Sequence, residues 1–307
     1  MATNLVVQSE PKLSPALLPL LRELGELKRI YSAGRTGSIA ARLFADGWKD
    51  LIGSKPTIQI ALGITSRALA ATRIGDLDII KLGELGLDMD RTIAIQQVAL
   101  DEVAGPLDAR LTQQLQQSLH GEQPSSSNIP PFEALLSQQP RAGVTCPGKP
   151  RLMLQPAENH AEHSLIVAVY AVLLSPFYGA DPAASFLAGM AHHLHSAAMP
   201  DSGYAGEILL GDDLLPVMAK ARQLAMAQLP AALQEPIEHA LLLIADDAAP
   251  EAKAFHAADA IDRVLETEQH LRSREATMRS VLDDYGLVHD GPVKPFHDRV
   301  LAEIGLG

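Results

Sequence analysis

Leu, Ile, Val and Ala recur at three- and four-residue spacing along most of this 307-residue chain. That period lines one face of an α-helix with apolar side chains. In the first part it predicts helices over 14–33, 36–52, 64–73, 76–86, 90–102 and 106–119, with Gly53, Gly75, Gly86 and Gly105 at their ends. In the last part it predicts helices over 158–176, 182–195, 204–211, 213–228, 230–246, 250–274, 275–285 and 293–305. Asp181-Pro182 and Ala249-Pro250-Glu251 are suitable helix starts. Only 56-PTIQIAL-62 reads as a short strand. The expected fold is all-α.

Residues 121–150, GEQPSSSNIPPFEALLSQQPRAGVTCPGKP, break this pattern with Pro, Ser and Gln. They read as a linker, exposed to solvent, or as a long crossing segment. The expected organisation is an N-terminal helical region over 1–120, this segment, and a second helical domain over 151–307.

Composition narrows the function classes. Hydrophobic residues make up 47%, enough for a core. The formal net charge of -12 argues against nucleic acid or an anionic membrane as partner. Aromatic residues at 4% argue against a base-stacking surface. A small phosphorylated ligand stays compatible, because a bound metal brings its own positive charge. The single cysteine, Cys146, allows no internal disulfide and suits a reducing cytoplasm. The N-terminus has no basic segment followed by an apolar core, so no signal peptide is expected. Apolar runs such as 165-LIVAVYAVLLS-175 look too short to span a bilayer. The Ala/Leu-rich N-terminal half is compatible with a homodimer. Its segment 35-RTGSIAA-41 offers a Gly-Ser helix start able to bind an anion weakly.

Histidine carries the chemistry. Of eleven, seven fall between 160 and 256: His160, His163, His192, His193, His195, His239 and His256. Neutral imidazole is the commonest metal ligand. His192 and His193 end an apolar helix in 182-PAASFLAGMAHHLHSA-197, and His163 begins another in 157-AENHAEHSLIVAVYAVLL-174. Adjacent residues on a helix point about 100° apart, so the pair can share one ion only near a helix end. In 251-EAKAFHAADAIDRVLE-266, Asp259 is set among Ala257, Ala258, Ala260 and Ile261. An inward carboxylate there needs a cation or hydrogen-bond donors.

Over residues 155–275 this order resembles the HD-domain superfamily of metal-dependent phosphohydrolases. The likeness lies in 162-EHSLIVA-168, 187-LAGMAHHLHSA-197 and 257-AADAIDRVLE-266. It implies metal ligation by His163, His192, His193 and Asp259, with His193 standing where the family's doublet carries aspartate. Histidine cannot bridge two metals as aspartate does, so one divalent ion is expected. Three imidazoles and a carboxylate suit Fe, Mn, Co, Ni or Zn. Asp201 or Glu207 would serve as general base, and His195 or Arg263 would offset charge on a small-molecule substrate, in keeping with a phosphate ester. Two alternatives stand beside hydrolysis. One is an iron oxygenase of the same fold, with His239 and His256 as spare ligands. The other is a degenerate domain that binds or regulates. No nucleophile triad, Walker A or GxGxxG sequence is present.

Overall fold

The computed structural model describes residues 13–119, 126–271, 277–284 and 286–306. The predicted helix over 275–285 and the end of that over 250–274 fall partly outside these residues. The described residues are helical with no strand, which makes the protein all-α. The N-terminal helices are α1 (Leu18–Gly25), α2 (Ile39–Ile52), α3 (Thr57–Ile74), α4 (Ile79–Glu84), α5 (Met89–Asp101) and α6 (Ala109–Gln117). Then follow α7 (Pro131–Gln138), α8 (His160–Tyr178), α9 (Pro182–Ala191), α10 (Gly203–Leu210) and α11 (Leu214–Met226). The C-terminal helices are α12 (Ala231–Leu243), α13 (Pro250–Leu271) and α14 (Lys294–Glu303).

Two readings change. The segment 56–62 is the first two turns of α3, not a strand. Thr57, Ile58 and Ile60 carry β-favouring side chains, but tertiary burial of Ile60 and Ala61 overrides that weak preference. Of the segment 121–150, the described residues 126–150 take the crossing course and not that of a solvated linker. Its α7 buries Phe132 and Leu136, and Phe132 meets Trp48 of α2 edge-on at 4.9 Å between ring centroids. Beyond α7 the chain crosses back over the body through antiparallel bridges at Pro140–Asn159 and Val144–Leu152.

Helix α8 is the axis of the molecule. It is apolar on all sides, and every residue from His160 to Ser175 is buried. A helix apolar all round belongs in a core. The apolar run at 165–175 is thus the middle of a longer helix. By length and composition that helix could cross a bilayer, yet here α2, α3, α9 and α13 enclose it. Its start is fixed by a capping box: the Asn159 side chain accepts from the Glu162 amide, and Glu162 accepts from the Asn159 amide. Gly179 ends it in the left-handed conformation.

The core is continuous across the N- and C-terminal helices. Leu21, Trp48, Leu69, Phe132, Tyr170, Phe186, Ile261 and Phe296 belong to one cluster. The Tyr170 hydroxyl donates to the Leu21 carbonyl, joining α8 to α1. Helix α9 lies unusually close to α8 at Gly189, where an added Cβ would sit 2.5 Å from the Ala168 Cα. Backbone cannot yield there as a flexible side chain would. Gly189→Ala is therefore expected to destabilise the fold by about 1–3 kcal/mol. Urea unfolding monitored by circular dichroism measures this; an unchanged midpoint would show that the helices are not in close contact.

Candidate metal centre

Two helix termini and the middle of a third helix meet at one end of α8. His160 and His163 lie one turn apart at its start, His192 caps the C-terminus of α9, and Asp259 comes from the middle of α13. After His192 the backbone leaves the α conformation: His193 has φ -101° and ψ 17°, and a 3₁₀ turn follows over Leu194–Ala197. That break lets two adjacent rings face one cluster, 4.2 Å apart at their centroids. The His163 ring lies 5.1 Å from both. One nitrogen from each of His163, His192 and His193 falls within 4.8 Å of the others. Asp259 Oδ1 lies 3.3 Å from His163 Nε2.

The neighbours of these rings decide which nitrogens are free. His163 Nδ1 donates to Asp262 Oδ2 at 2.7 Å, and His192 Nδ1 donates to the Gly189 carbonyl at 2.7 Å. Each bond fixes the proton on Nδ1 and leaves the Nε2 lone pair outward. His163 Nε2, His192 Nε2 and Asp259 Oδ1 are all buried without a hydrogen-bond partner among the described residues. Buried polar atoms without partners are costly, and unpartnered acceptors at such a cluster fit a cation. Asp259 Oδ2 meanwhile accepts from Arg263 at 2.7 Å. Burial alone would raise the Asp259 carboxyl, but the Arg263 guanidinium holds it well below the usual carboxylate range.

His193 differs from the other expected ligands. Arg141 Nη1 lies 3.0 Å from its Nε2, and a guanidinium can only donate. Its Nε2 lone pair is thus engaged. The donor set least encumbered for an ion is His163, His192 and Asp259. Nitrogen and oxygen donors in that ratio suit a transition metal such as Zn, Fe, Mn, Co or Ni.

A second acidic group, Glu158, His163 and Asp262, also lies close enough to hold a cation, and it already has one. Lys28, from the short turn after α1, is 3% exposed. Its Nζ lies 2.6 Å from Glu158, 2.7 and 2.8 Å from the two Asp262 oxygens, and 3.4 Å from Glu266. Burial would lower this ammonium, but Asp262, Glu158 and Glu266 together hold it well above the ordinary lysine value. Arg29 pairs with Glu266 beside it, and Arg141 with Glu158.

The remaining predicted residues divide. His195 is half-buried with its ring 5.5 Å from that of His193, its Nδ1 unpartnered among the described residues. Burial, helped by Arg222, pushes it down to about 4. Asp201 serves the local backbone: its oxygens accept from the amides of Ala142 and Gly203 at 2.9 and 2.8 Å. One of them also lies 3.7 Å from His160 Nε2. Glu207 is half-buried, and burial with the nearby charge of Asp201 raises it. Arg263 pairs with Asp259. His239 is exposed on α12 and takes no part. His256 is 3.0 and 3.1 Å from the carbonyls of Ile244 and Asp246 and is anchored to backbone.

Several members of the site lay outside the sequence reading: Lys28, Arg141, Glu158 and Asp262. His160, named among the clustered histidines but not among the expected ligands, also belongs to the site. It is 1% exposed, its ring lies 4.7 Å from that of His193, and neither nitrogen has a hydrogen-bond partner among the described residues. The spacing of His160 and His163, three apart at a helix start, was the available signal for it.

The chain matches no known family model, and no curated protein or solved structure matches it. What the coordinates define is an all-α protein with a buried histidine–carboxylate cluster at the end of its central helix.

The cluster carries a pH signature. Burial pushes His160 down to about 2, and it holds His192 and His193 well below the ordinary histidine value. Above pH ~6.5 these rings are neutral both folded and unfolded, so the stability is fully present. Below it the unfolded chain takes up protons that the folded one refuses. Stability then falls by about 1.4 kcal/mol per pH unit for each ring. Urea melts in chelator are therefore expected to lose several kcal/mol between pH ~6.5 and ~5.5. A flat or rising stability over that window would contradict the neutral cluster.

Proposed function

We propose that this protein is a metal-dependent hydrolase acting on a small anionic ester, a phosphate ester fitting best, as the HD-domain resemblance suggests. The observation that carries the reading is that His163, His192 and His193 bring nitrogens within 4.8 Å of one another beside Asp259, with His163 Nε2, His192 Nε2 and Asp259 Oδ1 buried and unpartnered among the described residues. Their partners Asp262, Gly189 and Arg263 fix each in orientation. A single divalent ion at these atoms would supply a water of lowered pKa and a Lewis acid for the substrate oxygen.

The chain's own residues do the rest. Arg141 and Arg263 border a crevice of about 40 Å³ beside the cluster, together with Glu158 and Glu266. The guanidiniums offer donors to an anionic oxygen. His193, held by Arg141, has its ring 5.5 Å from that of His195, and burial keeps both imidazoles neutral. Glu207, whose proton is held more tightly than usual, suits the general base better than Asp201, whose oxygens are tied to backbone amides. The oxygenase alternative draws no support from its spare ligands, since His239 is exposed and His256 is bonded to carbonyls. A second reading, a metal-holding binding module without turnover, is favoured by the narrowness of the crevice.

Elemental analysis of protein purified without chelator is expected to find about one transition-metal ion per chain. His192→Ala and Asp259→Asn should reduce that to near zero. Hydrolysis of bis(p-nitrophenyl) phosphate and p-nitrophenyl phosphate, assayed with Mn, Co, Ni, Zn and Fe, is expected to fall by at least about a hundredfold in both variants. Full metal content with no hydrolysis would favour the binding module; no metal in the wild type under any loading would overturn both.

A further inference from the structure

A cavity of about 380 Å³ lies away from the histidines, between α2, α3 and the Gly75–Ile80 corner that starts α4. We propose that it is a binding site for a small amphipathic anion, an apolar body carrying one acidic group. The volume lies within the range of small-molecule pockets. Its apolar wall comes from Ile39, Leu43, Ala71 and Ile79.

The polar wall is unusual for this chain. Overall there are 25 basic residues to 37 acidic ones, yet four cations line the cavity against three acids. The charges are unevenly matched. Asp76 and Asp78 together hold Arg35, and Asp76 also binds Arg42. At the other side a single carboxylate, Asp46, serves both Lys49 at 3.1 Å and Arg67 at 2.6 Å. Two cations share this one bonded acid, with Glu133 and Asp78 acting on Lys49 and Arg67 only through space. Their side chains are about 30% exposed, and the recorded bond of Arg67 uses one terminal nitrogen. A guanidinium has five N–H donors, so donors remain for a ligand's carboxylate, sulfonate or phosphate. Its body would lie on Ile39 and Leu43. A polar anion alone would leave that wall in water, and a neutral apolar molecule would leave the excess charge unmatched.

The probe is 8-anilino-1-naphthalenesulfonate, an aromatic body with one anionic group, titrated into the full chain by fluorescence. Its neutral relative N-phenyl-1-naphthylamine is the comparison. The expected result is saturable binding near one per chain, weakened about tenfold by Arg67→Gln and abolished by Ala45→Trp, which fills the cavity. The neutral probe should bind about tenfold more weakly than the anion to wild type, and equally to wild type and Arg67→Gln. Circular dichroism melts establish that each variant folds; if Ala45→Trp does not, Arg67→Gln and the neutral probe decide. Binding that never saturates, that neither folded variant alters, or that the neutral probe matches would overturn the proposal. The first two results would place the dye on exposed apolar residues such as Leu209 and Leu215.

Discussion

The arrangement depends on one buried ammonium. Lys28 brings a positive charge from the N-terminal segment into a nest of three carboxylates, Glu158, Asp262 and Glu266. Two of those acids lie on α13, one turn apart, and the third precedes α8. Without the lysine they would repel one another in a place with little water. With it, Asp262 stays ionised and can accept the His163 Nδ1 proton. Breaking such a buried group by removing one partner typically costs about 3–5 kcal/mol. The same contact therefore ties the first helices to the last and aims the histidine that begins α8.

The rest of the site follows from this aim and from helix geometry. α9 approaches α8 closely because residue 189 is glycine, and the Gly189 carbonyl is also what holds His192 Nδ1. Packing and ring orientation are thus set at a single residue. Asp259 and Asp262 stand three apart on α13, so both reach His163, one at each ring nitrogen. His192 and His193 are held well below the ordinary histidine value by burial, which keeps their rings neutral. Arg141 and Arg263 restrain His193 and Asp259 from the outside.

The helices were legible because their apolar period is set by burial. His163, His192 and Asp259 stood out as polar residues within otherwise apolar helical runs. Other parts left no such trace. Lys28 and Arg29 stand between Leu27 and Ile30, and a basic pair in such a position is ordinarily read as solvated; only the tertiary fold reveals three acids around Lys28. Arg141 and Glu158 sit in an aperiodic Pro-rich stretch, where no spacing rule indicates which side chains turn inward. α7 is only 8 residues long and was hidden in the same stretch. Asp262 stands three residues after Asp259 on the same helix, and spacing alone does not show that it faces Lys28 and the other nitrogen of His163. The 56–62 segment misled because Thr and Ile favour strands weakly and its burial is decided by neighbours distant in sequence.

The tautomers of His163 and His192 test the central claim most directly. Long-range ¹H–¹⁵N spectra of the histidine rings, read without metal and after adding Zn²⁺, report which nitrogen carries the proton. The account predicts protonated Nδ1 and bare Nε2 on both rings, with the Nε2 resonances of these two residues moving when Zn²⁺ binds. A proton on Nε2 of either ring in the metal-free protein, or no Nε2 response to Zn²⁺, would contradict it.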